Sequence, residues 1–106
     1  MKTSTSFKDG QLKIYLSGEL DHHAAKVAME TISKAIDLNL PRDCVLDLQD
    51  LSFMDSSGIA VVLGAYKRMD EISGRACVEN VKKQPMKVLQ ASGIYRMVEI
   101  SEADKE

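Results

Sequence analysis

Two adjacent serines, Ser56 and Ser57, lie between an acid, Asp55, and a glycine, Gly58. Upstream is the apolar run Cys44-Val45-Leu46-Asp47-Leu48, and downstream an amphipathic run from Ile59 to Met69. An Asp-Ser-Ser-Gly turn therefore falls where a strand hands over to a helix. The first N–H groups of a helix lack intrahelical partners and carry the positive end of its dipole. An α/β protein commonly presents chemistry there, and a phosphate is electrostatically favoured. A hydroxyl at such a junction can attack as a nucleophile, cap the helix, or accept a phosphoryl group. Asp55 with His22 or His23 would supply the residue types of a serine hydrolase. The Gly-x-Ser-x-Gly turn that exposes such a nucleophile is absent. So is the Gly-x-x-x-x-Gly-Lys-Ser/Thr loop of a nucleotide-binding module. Capping is the commonest duty of a serine at a helix start. Asp55 suits a turn, a cap or a partner contact, and Gly58 suits tight packing or close approach by a partner's backbone.

The elements that must carry this turn follow from periodicity. Gln11-Leu12-Lys13-Ile14-Tyr15-Leu16 alternates polar and apolar residues, as a half-buried strand does. The Asp9-Gly10 signal before it predicts a hairpin with the preceding stretch. Gly18 ends the strand, and Asp21 is placed to cap a helix. Ala24, Ala28, Thr31 or Ile32, and Ala35 form that helix's inward stripe. Pro41 closes it. The continuous apolar run Cys44 to Leu48 predicts a central parallel strand covered on both faces. The second helix is expected from about Ser57 to Glu71, with Ile59, Val62, Leu63, Tyr66 and Met69 inward. Gly64 within it costs about 1 kcal/mol against alanine, which close packing is expected to offset. Ser73-Gly74 reads as a turn and Ala76-Cys77-Val78 as a strand. Lys82-Lys83-Gln84-Pro85 opens a third helix, with Pro85 tolerated in its first turn. Gly93 ends it in the left-handed conformation. Tyr95 to Ile100 is expected to form a last strand or edge segment, and the charged tail from Ser101 to fray. The expected fold is α/β, a mixed, mostly parallel sheet of about four to five strands with helices packed on it.

Composition sets the class. At 106 residues the chain suits one domain, 1–106. Apolar residues make up 44% and charged residues 28%, with net charge −2, so the basic face of a nucleic-acid binder is not expected. Ile59 to Tyr66, the longest uncharged apolar stretch, is too short to span a bilayer. The N-terminus shows no apolar signal region, so a cytoplasmic protein is expected. Cys44 and Cys77 read as buried reduced thiols. No Cys, His and carboxylate spacing suggests a metal, and no cofactor is expected.

Three segments together are familiar: Gly18-Glu19-Leu20-Asp21-His22-His23, then Asp50-Leu51-Ser52-Phe53-Met54-Asp55-Ser56-Ser57-Gly58, then Leu63-Gly64-Ala65-Tyr66-Lys67. They resemble the anti-sigma factor antagonist family, the STAS domain of bacterial sporulation and stress-response switches. Ser92-Gly93-Ile94 adds to the likeness, which runs from about Gln11 to Ile100. The resemblance implies partner switching. The unmodified antagonist, a monomer when free, binds an anti-sigma factor that is also a serine kinase, and the sigma factor is released. Phosphorylation of the serine after the motif aspartate, here Ser56, ends the binding, and a serine phosphatase resets the protein. Ser57 is then mainly a cap. The partner surface is expected to comprise Asp55, Ser57 and Gly58, with a second patch at Glu19, Asp21, His22 and His23. Two positions depart from the family's pattern: Ala60, where many relatives have glycine, and Ala65, where a basic residue is usual. Both are expected on or near the kinase-facing surface. The alternatives are a stand-alone STAS scaffold or a nucleotide- or ligand-binding subunit of a signalling assembly.

Overall fold

The computed structural model describes residues 1–103, so the end of the expected frayed tail, 104–106, lies outside the described residues. In chain order the elements are β1 (Lys2–Lys8), β2 (Gln11–Leu20), α1 (His22–Asn39), β3 (Asp43–Asp47), β4 (Leu51–Met54), α2 (Ser57–Glu71), β5 (Arg75–Val81), α3 (Lys83–Ser92), a single 3-10 turn (Ile94–Arg96) and β6 (Glu99–Glu102). The first pair is the expected hairpin. Asp9 and Gly10 both take positive φ, 52° and 82°. That is the combination a two-residue turn needs to match the twist of its strands. β1 is antiparallel to β2, and all other pairings are parallel, in the order β1-β2-β3-β5-β6 with β4 beside β2.

The described residues hold six strands rather than four to five, and the added one is β4. Leu51–Met54 reads as part of a turn because it is four residues long and flanked by Asp50 and Asp55. It becomes a strand because the far half of β2 has no partner once β3 ends. β2 pairs with β3 up to Tyr15 and with β4 from Gly18 to Leu20. At the C-terminal end, the segment from Tyr95 begins as the 3-10 turn instead of a strand, and β6 runs through Ser101 to Glu102, where fraying was expected.

The helices share one core with one face of the sheet. Leu12, Ile14 and Leu16 of β2, Cys44 and Leu46 of β3 and Val78 of β5 meet Ile32, Ile36, Val62, Met69 and Leu89 there. The opposite face is polar. Lys13 lies 3.7 Å from both Asp47 and Glu79, and Tyr15 is exposed. β3 is therefore covered by helices on one face only, and its apolar run breaks at the point where Asp47 faces this network. Asp47 is buried but satisfied, accepting from Gln49 N at 2.9 Å and Asn80 Nδ2 at 3.0 Å. Both cysteines are reduced, Cys44 buried and Cys77 only partly so, on the polar face. Burial pushes the Cys44 thiol up to about 12.

Both long helices keep part of the expected stripe, Ala28 and Ile32 in α1 and Val62 and Met69 in α2, but are turned slightly from the expected phase. α1 buries Ala25, Ala28, Ile32 and Ile36, with Ala24 and Ala35 at its flank. α2 buries Gly58, Val61, Val62, Ala65 and Met69, with Ile59, Leu63 and Tyr66 half-buried. Small residues sit at the contact line because they let the helix approach the sheet, and the larger ones close its sides. Ala65, at 2% exposure, therefore faces the core and cannot meet a partner.

Gly64 does not have the tight surroundings its place in a helix suggested. A Cβ there would meet only Met29 Cε, at 4.0 Å. Gly64→Ala is accordingly expected to stabilise the protein by about 0.5–1 kcal/mol. That corresponds to a rise in Tm of roughly 2–8 °C for a domain of this size. A lowered Tm in thermal unfolding would show that α1 and α2 approach more closely than this geometry allows.

Candidate functional site

The Asp55 turn is held from three directions, and among the described residues its serine hydroxyls are left out of the bonding. Along β2, Asp55 N donates to Leu20 O at 3.2 Å, extending the parallel ladder by one residue. Towards α1, the Asp55 carboxylate accepts from His22 N through Oδ2 at 3.0 Å. Towards α2, the same carboxylate accepts from Ser57 N through Oδ1 at 2.8 Å. Gly58 N and Ile59 N return to Asp55 O and Ser56 O at 3.0 and 3.1 Å, closing the first turn of α2. One carboxylate thus bridges the N-termini of two helices, where a negative group is favoured by both dipoles.

Neither serine performs the capping expected of Ser57. Ser56 occupies the N-cap position with φ −62° and ψ −19°, and its side chain makes no cap bond. Ser57 is the first helical residue, and its hydroxyl likewise has no hydrogen bond among the described residues. Asp55 does that work, because its longer reach and full charge outcompete a hydroxyl for the same amides. Ser56 is exposed, Ser57 is half-buried and Gly58 is buried. The result is a free, outward hydroxyl on a backbone whose neighbours are all fixed.

Gly58 sits beneath this surface. A Cβ on it would lie 2.3 Å from Met54 Cγ and 2.7 Å from Met54 Sδ, and Met54 is itself fully buried. Of the two duties open to Gly58, tight packing is the one this geometry supports.

The second expected patch does lie beside the first. Asp21 caps α1, accepting from Ala24 N at 2.9 Å. That bond, helped by the charge of His23, holds the Asp21 carboxyl below the usual carboxylate range. Glu19 is exposed and pairs in register with Phe53 of β4. The rings of His22 and His23 are exposed and meet edge to face, with centroids 5.8 Å apart. His22 also joins Ser57 and Ala60 around a shallow apolar groove between α1 and α2, with Ala25 and Met29 at its floor. Ala60 is therefore exposed next to the turn, unlike Ala65. The hydrolase geometry does not arise here: the bonds of the Asp55 carboxylate run to two backbone amides and to neither histidine ring.

One contributor had no signal in its local sequence. Gln84, in the first turn of α3, reaches the outer edge of β4. Its Oε1 accepts from Met54 N at 2.8 Å, and its Nε2 donates to Met54 O at 2.9 Å. A lone glutamine beside Lys82-Lys83 reads as a solvated helix start, and only the position of α3 beside β4 shows otherwise.

Comparison with known proteins places this frame. The STAS domain pattern matches residues 2–106. The chain is 37% identical over 91 residues to the anti-sigma F factor antagonist of Paenibacillus polymyxa, covering 86% of this chain and 78% of that protein. It is 41% identical over 81 residues to the anti-sigma F factor antagonist of Lysinibacillus sphaericus, covering 76% and 69%. The fold superposes on the anti-sigma factor antagonist SpoIIAA in its unphosphorylated form with a TM-score of 0.80 and 32% identity, over 93% of this chain and 87% of that one. It superposes on the Bacillus cell fate determinant SpoIIAA in the phosphorylated form with a TM-score of 0.71, again at 32% identity, over 93% and 90%. A pattern match across nearly the whole chain, relatives well above 30% identity and a shared fold agree: this chain belongs to the STAS-domain family and, within it, to the anti-sigma factor antagonists.

Proposed function

We propose that this protein is the phosphorylatable member of a partner switch acting in the cytoplasm. In its unmodified form it binds, as a monomer, an anti-sigma factor that is also a serine kinase, and the bound sigma factor is released. Phosphorylation of Ser56 ends that binding, and a serine phosphatase restores it. The role is regulatory and needs no catalysis by this chain. The observation that carries the reading is the state of Ser56: exposed, without a side-chain hydrogen bond among the described residues, and set on a turn fixed by Asp55. A kinase needs such a hydroxyl presented in one place, and nothing in the fold depends on it. The helix N-terminus beneath can accommodate the added charge. SpoIIAA, similar over almost the whole chain, has structures in both an unphosphorylated and a phosphorylated form, which supports the same reading.

The partner surface is proposed to run from Asp55 and Ser57 across to Glu19, Asp21, His22 and His23, with Gly58 acting from below by shaping the turn. The test is peptide mass spectrometry after incubation with the cognate anti-sigma kinase and ATP. Wild type and Ser57→Ala are expected to take one phosphate, and Ser56→Ala none. An unmodified wild type, with a kinase active on another antagonist, would turn attention to a scaffold or ligand-binding role.

A further inference from the structure

We propose that Gln84 is a positioning residue for the phosphoacceptor turn, an inference that rests on the partner-switch reading above. The reason lies in the sheet. β3 has strands on both sides, β2 and β5. β4 continues along β2 beyond the end of β3, but by then β5 has given way to α3. The outer edge of β4 is left without a strand, one residue before Asp55. An unpaired edge next to a functional turn exposes backbone groups and leaves the turn free to shift. Gln84 fills the gap. Its carboxamide offers one acceptor and one donor at the spacing of a peptide group, and it takes both the N–H and the C=O of Met54. It stands in for the missing strand at the one residue that matters.

Met54 in turn carries the site. It is fully buried under Gly58, and its neighbour Asp55 bridges the two helix N-termini. Gln84 lies on the far side of β4 from β2 and does not belong to the proposed contact patch. Its effect on the kinase must therefore be transmitted through the order of the turn. A turn ordered in advance spares the complex that ordering cost on binding.

The test compares Gln84→Met, which keeps length and helix propensity but removes both bonds, with Gln84→Glu, which can accept from Met54 N but not donate to Met54 O when ionised. A third variant, Ile36→Val, perturbs the buried far end of α1 and serves as a control for general destabilisation. In each, hydrogen exchange at the Met54 amide and the kinetics of Ser56 phosphorylation are measured. Gln84→Met, which leaves Met54 N–H without its acceptor, is expected to exchange that amide faster, and both Gln84 variants to lose about tenfold in kcat/KM, below the roughly hundredfold loss of an outright 1 Å misplacement. The loss should fall in KM, since the hydroxyl is chemically unchanged once the complex has formed. Ile36→Val is expected to leave both readouts at the wild-type level. Unchanged kcat/KM in Gln84→Met, or an equal loss in Ile36→Val, would overturn the inference while leaving the switch intact. A wild-type protein that takes no phosphate on Ser56 would overturn the switch and the inference together, whatever the exchange data.

Discussion

Phosphate on Ser56 is expected to weaken binding to the anti-sigma kinase by about 100-fold while leaving the fold intact. The phosphate carries about −1.5 to −2 charges at neutral pH. It would join Asp55 at the surface proposed to approach the kinase's own nucleotide site. Like-charge juxtaposition across an interface costs several kcal/mol, and about 3 kcal/mol is roughly 100-fold in Kd. Within the protein the same charge meets the N-terminus of α2, so it has a favourable local environment. Among the described residues the Ser56 side chain makes no hydrogen bond that modification would break. Calorimetric titration of the kinase with the two forms measures the first effect, and thermal unfolding the second. Ser56→Ala should bind as the unmodified protein does, since a surface change of this kind stays within about 0.5 kcal/mol. Salt separates the two possible causes of the loss. A penalty that shrinks as ionic strength rises is electrostatic at the rim of the contact, and one that does not is steric. Equal affinity of the two forms would sink the switch.

Gly58→Ala is expected to destabilise the protein by about 1–3 kcal/mol, the usual cost of overpacking a filled core. The sign is informative because alanine is otherwise better than glycine inside a helix by about 1 kcal/mol. The opposing cause is Met54: its Cγ would be 2.3 Å from the new methyl, and the side chain is fully buried with no solvent to swing into. The backbone of Met54 cannot yield either, being paired to β2 on one side and to Gln84 on the other. The strain should therefore appear at the Asp55 turn and slow phosphorylation of Ser56 as well. A double-mutant cycle with Met54→Ala isolates the contact. The pair is expected to cost less than the sum of the single changes, by 1 kcal/mol or more, as residues in direct contact do. Additive costs in denaturant unfolding would mean that Gly58 is constrained by something other than Met54.

Gly58 and Gly64 illustrate how far glycine can be read without neighbours. Both sit in α2, and packing is a reading open to each. Only the first has an atom within clashing distance, while the second has open space up to 4.0 Å. Helix phase behaves the same way. Ala24, Ala25 and Ala28 are the same residue, so periodicity alone allows either stripe. Contact with β2 and α2 selects the one that includes Ala25. The same rotation takes Ala65 out of the partner surface and leaves Ala60 in view.

What the chain determined by itself is what rests on interactions between near neighbours. The Asp9-Gly10 turn, the cap at Asp21, the start of α2 at Ser56-Ser57 and the left-handed stop at Gly93 each follow from a few adjacent residues whose backbone preferences need no partner. The STAS-like order of strands and helices, and the exposed place of Ser56 at the start of α2, follow from that punctuation and from the motif around it. What only the tertiary structure decided is everything that depends on a partner about thirty residues away. Leu51–Met54 is a strand because β2 outruns β3. Asp55 ties α1 to α2 because His22, 33 positions earlier, brings a second amide within reach of a carboxylate that already caps α2. Gln84 guards the turn because α3 begins where β4 lacks a neighbour, 30 positions on. A hydrogen bond needs its partner within about 3 Å, and sequence spacing carries no record of that distance until the sheet has closed.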